Sequence, residues 1–62
     1  MTLKFDLSMT CAGDAFADFP TEEIARILSA VGDSLEAGNT RGTCRDSNGN
    51  NVGRWTLAEG DA

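Results

Sequence analysis

The chain has 62 residues, with ten acids against five bases, no histidine and a net charge of −5. A chain this short is one domain, residues 1–62, that buries only about 60% of its unfolded surface, so neither a second domain nor a deep substrate cavity is expected. One Lys and four Arg exclude the usual clustering of bases on phosphates and repel an anionic membrane, leaving a soluble protein or one whose partner is itself basic.

Leu3, Phe5, Leu7, Met9 and Cys11 alternate with Thr2, Lys4, Asp6, Ser8 and Thr10. Period-two patterning of this kind predicts a half-buried strand, ended by Gly13. The same alternation replaces the continuous apolar run of a secretory leader, and no stretch reaches membrane-spanning length, so an intracellular, cytoplasmic protein is expected. Asp14–Phe19 reads as an ordered loop or single turn pinned by Phe16 and Phe19.

A helix is predicted next. Pro20 breaks what precedes it, Thr21 has the hydroxyl of an N-cap, and Glu22 and Glu23 suit the positive end of the macrodipole. Ile24, Ile27, Leu28, Val31 and Leu35 form one apolar stripe, and Gly38-Asn39 supplies the stop. Gly32, beside the stripe, is expected to let the helix approach a sheet closely. From Thr40 to Leu57 the pattern is a hairpin. With Asn48-Gly49 as a two-residue type I′ turn, Cys44 faces Gly53 and Gly42 faces Trp55. One face then carries Cys44, Trp55 and Leu57, with Gly42 and Gly53 making room for the indole. The other carries Arg41, Thr43, Arg45, Arg54 and Thr56, with Val52 out of place among them. Ala58–Ala62 reads as a frayed tail.

The expected fold is therefore α+β, in the order β-α-β-β: a three-stranded, mainly antiparallel sheet with one helix packed on one face. Pairing of the first strand with the second or the third is equally open. Cys11 and Cys44 read as small buried hydrophobes in a reducing compartment, with a bridge left open if their strands prove adjacent.

Little in the chain suggests catalysis. Histidine is absent, and carboxylates would need a pocket to bring their pKa values toward neutrality; no enzyme, metal or cofactor is expected. Asp46, Asn48 and Asn50 imitate the start of a calcium loop, but glycine falls at the fourth place and Leu57 at the twelfth, so the segment reads as a turn. The acidic residues have a direction. Between Ala12 and Glu36 lie Asp14, Asp18, Glu22, Glu23, Asp33 and Glu36 against Arg26 alone, six acids less one base, which accounts for the whole charge surplus. Asp33 and Glu36 stand near the helix C-terminus, where the macrodipole disfavours them. Together the six form a candidate partner-binding track, interrupted by Arg26, with a solubilising surface as the plain alternative. Trp55 reads as core, although Trp with Arg41, Arg45 and Arg54 also suits an interface.

Asp14-Ala15-Phe16, Glu23-Ile24-Ala25-Arg26-Ile27-Leu28 and Asp46-Ser47-Asn48-Gly49-Asn50-Asn51-Val52-Gly53-Arg54-Trp55 resemble short open reading frames of phages and mobile elements of proteobacteria. In size, charge and setting the chain is similar to small acidic anti-CRISPR proteins, several of which mimic double-stranded DNA. That resemblance implies an inhibitor that occupies the DNA-binding (PAM-recognition) site of a type I Cas surveillance complex, its partner a basic protein groove. A homo-oligomeric structural or assembly module, paired through an open sheet edge, is the alternative.

Overall fold

The computed structural model describes residues 2–60, in the order strand, 3-10 turn, helix, strand, strand. The strands are β1 (Thr2–Met9), β2 (Arg41–Arg45) and β3 (Asn51–Gly60), and the helix is α1 (Pro20–Glu36). They make the expected α+β fold, an antiparallel sheet in the order β1-β3-β2. The pairing of the first strand is thereby settled: β1 runs antiparallel to β3, with Leu7 opposite Trp55 and Thr2 opposite Gly60. β2 reaches only Asn51–Thr56 of β3, so the sheet is three strands wide at the hairpin end and two wide at the other. The molecule is correspondingly long, 41 × 21 × 17 Å.

The core is small. Phe16, Ile27, Val31, Cys44 and Trp55 are buried, with Leu7, Met9, Ala15, Ile24, Leu35 and Val52 packed around them. α1 lies against β2 and the 3-10 turn over Asp14–Phe16, so the apolar side chains of β1 are covered at one end only. Leu7 and Met9 are half-buried, while Leu3 and Phe5 remain 58% and 47% exposed. Phe5 rests against the Trp55 ring, centroids 6.0 Å apart. Leu28, at the margin of the helix stripe, is likewise exposed.

Several local expectations are corrected. β1 ends at Met9, and Cys11 is exposed beyond it. β1 and β2 flank β3 on opposite sides, so the two cysteines are not neighbours, and both are free thiols. Phe16 alone pins the turn after β1, because Phe19 is 65% exposed. Thr21 does not cap the helix. Phe19 holds the N-cap position without a side-chain bond, and Pro20 occupies the first turn, where its missing N–H costs nothing. Gly32 has nothing within 4 Å of where a Cβ would lie, so it permits no close approach. Gly38 does stop the helix: its φ is +94°, its N–H donates to Leu35 and the Asn39 N–H donates to Ser34. That pair of bonds is a Schellman motif. Ala58–Gly60, read as frayed, belong to β3 and pair with β1; Asp61 and Ala62 lie outside the described residues.

The hairpin register holds where it was read from Asn48-Gly49, with Cys44 opposite Gly53 and Gly42 opposite Trp55. The turn itself differs. The Asp46 N–H donates to Asn50 and the Gly49 N–H to Asp46, which closes a loop of Ser47, Asn48 and Gly49. Only Gly49 has positive φ, +83°, as in a type I turn followed by a glycine in the left-handed region. The register shifts between Cys44 and Arg45, since Arg45 faces Asn51, and Val52 is the extra residue. The bulge turns Val52 half-inward against the core, which removes the anomaly of an apolar residue on the polar face. Gly42 leaves room for the indole as expected, for a Cβ there would lie 2.8 Å from Trp55 Nε1. Gly53 leaves room for β1 instead.

Candidate functional site: the acidic turn and helix

The six carboxylates of the predicted track separate into five and one. Asp14 sits on the 3-10 turn, Asp18 between that turn and the helix, Glu22 in the first helical turn, and Asp33 and Glu36 in the last turns. All five are exposed, and none has an ion-pair partner among the described residues. From Glu22 to Glu36 the helix rises about 21 Å. No base stands in its last turn.

Glu23 is different: it is buried, and it is an organising group of the fold. Its Oε1 accepts from Arg26 Nε at 2.9 Å, and its Oε2 accepts from Arg26 Nη2 at 3.1 Å and from the Ser47 backbone N–H at 2.6 Å. Arg26 also donates to the Arg45 carbonyl at 3.1 Å. One carboxylate therefore ties α1 to the β2–β3 turn, and the arginine that interrupts the track is turned to internal use. The pair cancels in charge, leaving the five exposed acids unopposed along the helix and its approach.

The Arg26 guanidinium, together with the Ser47 N–H, holds the Glu23 carboxyl at about 2 despite its burial. A carboxyl depressed in the folded state binds its proton more readily when the chain unfolds. Stability from Glu23 is thus complete above about pH 4.5 and is lost as pH falls toward about 2. In Glu23→Gln that dependence disappears: urea midpoints followed from pH 6 to pH 2 should fall less steeply than those of the wild type across this window. Equal slopes would show that the carboxylate contributes nothing through its charge.

Asp46 supplies the other half of the turn. Its Oδ1 accepts from the Asn48 and Asn50 N–H groups at 3.0 and 2.8 Å, and its Oδ2 from Asn50 Nδ2 at 3.3 Å. Oδ1 is committed to the backbone, as an Asx turn requires, and Oδ2 to the Asn50 side chain. Among the described residues, no group of three His, Cys, Asp or Glu side chains could hold a metal ion. An open groove of about 600 Å³ lies between α1 and β2, bordered by Arg26, Ala30, Ser34, Cys44 and Trp55. No buried side-chain polar atom among the described residues lacks a partner, so no unsatisfied group points into it. Burial raises the Cys44 thiol, which opposes thiolate chemistry there.

The open face of the sheet, opposite Trp55, carries Lys4, Asp6, Arg41 and Arg54, with Asp6 and Arg41 on either side of Thr56. The molecule is therefore polarised, acidic on the helix side and mildly basic on the bare sheet. No protein-family model, curated protein or solved structure matches the chain. Among the described residues, no helix is long and apolar enough to cross a membrane.

Proposed function

We propose that the protein is a non-catalytic inhibitor that binds a basic, nucleic-acid-binding groove of another protein through its acidic turn and helix. The observation that carries this reading is the row of five exposed carboxylates without ion-pair partners, Asp14, Asp18, Glu22, Asp33 and Glu36. Carboxylates spread over the turn and the helix offer a basic cleft what phosphates offer it, and their docking releases the cleft's counterions as DNA would. Placing Asp33 and Glu36 at the unfavourable end of the helix dipole works against stability, as expected of residues retained for a partner. The resemblance to small acidic phage proteins supplies the specific target: the PAM-recognition site of a type I Cas surveillance complex in the cytoplasm of a bacterial host.

The test is competition. The protein should displace double-stranded target DNA from such a complex, and its affinity should fall steeply with salt. Asp14→Lys with Asp18→Lys, and separately Asp33→Lys with Glu36→Lys, should each weaken inhibition at least about tenfold while circular dichroism is unchanged. Full inhibition by both double variants would remove the acidic face from the mechanism.

A further inference from the structure

We propose that the free edge of β1 pairs antiparallel with β1 of a second copy of this chain, centred on Phe5, joining two three-stranded sheets into one. The proposal does not rest on the acidic face. β1 is a sheet edge, and no segment among the described residues covers it. The Thr10 N–H donates to the Val52 carbonyl, and the same register runs unbroken to Thr2 and Gly60. In an antiparallel ladder the direction alternates by residue. The even-numbered residues of β1 therefore bond to β3, while Leu3, Phe5 and Leu7 turn their N–H and C=O groups outward. At the opposite edge the equivalent alternation turns Arg45 outward, and there Arg26 already donates to its carbonyl. β1, with eight residues against five in β2, is the longer open edge.

What selects a second copy is the self-complementarity of the strand. With Phe5 opposite Phe5, Leu3 meets Leu7 of the other copy on the core-side face. On the other face Lys4 meets Asp6, and Thr2 meets Ser8. Every cross-strand pair then matches in kind, and both charge pairs are opposite in sign. Sliding the pairing by one residue pair either way sets Lys4 against Lys4 or Asp6 against Asp6. A slip of one residue would turn apolar side chains to the polar face. Neither Lys4 nor Asp6 has an ion-pair partner within the described chain; directly across β3 they face Ala58 and Thr56. Pairing would also cover Leu3 and Phe5, large apolar side chains on the uncovered part of β1. A lone lysine on an edge strand commonly blocks such contacts, but here the aspartate two residues on converts the block into a match.

Sedimentation equilibrium of the full chain tests this. Its mass should rise from 6.5 kDa toward twice that value as concentration increases through the micromolar range, as suits a small interface. Lys4→Asp and Asp6→Lys each place like charges opposite at both symmetry-related positions, and each should weaken self-association about tenfold or more. Mixing the two single variants restores opposite charges at every position and should yield a heterodimer. Circular dichroism of each variant should match the wild type, because both side chains face solvent. A wild-type chain that stays at 6.5 kDa up to about 1 mM overturns the proposal. So does a dimer indifferent to both reversals, or a mixture of variants that fails to associate.

Discussion

Trp55→Ala should leave the chain largely unfolded at 25 °C. The indole is 2% exposed and is among the three most deeply buried large side chains, with Ile27 and Cys44. It fills the space over Gly42 and contacts Phe5 from β1, so its removal opens a cavity where sheet and helix meet. Truncating a buried Trp or Phe to Ala costs about 3–5 kcal/mol. By per-residue scaling the whole domain has roughly 3–9 kcal/mol to lose. Among the described residues no second cluster is present to absorb the loss, since the core there consists of five buried residues and their fringe. Far-UV circular dichroism during urea unfolding measures the effect. Leu28→Ala is the contrast, because that side chain is 46% exposed, and its cost should stay below about 1 kcal/mol. A Trp55→Ala midpoint close to that of Leu28→Ala would mean that the indole does not organise the core.

Gly53→Ala should be nearly as damaging, for a different reason. An added Cβ would lie 2.6 Å from Met9 Cα and 2.7 Å from Met9 Cβ, and against the Ser8 carbonyl oxygen. These are mostly backbone atoms of the paired strand, and they can retreat only by parting β1 from β3. Overpacking usually costs about 1–3 kcal/mol, and a clash with paired backbone belongs at or beyond the upper end. Gly42→Ala meets only the edge of the Trp55 ring, at 2.8–3.2 Å, and a ring can tilt; its cost should be smaller. Gly32→Ala meets nothing and should stabilise the helix by up to about 1 kcal/mol. The expected order of thermal midpoints is Gly32→Ala highest, then wild type, Gly42→Ala and Gly53→Ala. If Gly53→Ala equals the wild type, β1 is not seated on β3 as described.

Local periodicity carried most of the fold. The alternation in Leu3–Met9, the stripe Ile27–Val31 and the Asn-Gly pair placed three strands and a helix, because each reflects short-range backbone geometry. Features set by contacts between elements were less legible. The partner of β1 is set by contacts 44 to 58 positions away, which local patterning does not register. The bulge at Val52 was visible only as one apolar residue on the wrong side. Phe19 has the same chemistry as Phe16, and nothing local says that one ring is buried and the other is not. In the acidic segment, charge alone could not distinguish Glu23 from Glu22. The difference lies in the Ser47 N–H, 24 positions away, and a one-dimensional charge count has no access to it. The signal nearest to hand was the adjacency of Glu23 and Arg26 at i, i+3, a spacing that permits a pair on one helix face.

The strand order also governs time. The β2–β3 turn closes over three residues and can form within microseconds, and α1 needs only local bonds to begin. β1 must instead find partners between 44 and 58 positions away, from Met9–Gly53 to Thr2–Gly60, and closing loops of that length is the slow, entropically costly step. β1 should therefore be the last element to dock in folding. Its two-stranded end, with no helix above it, should be the first to open.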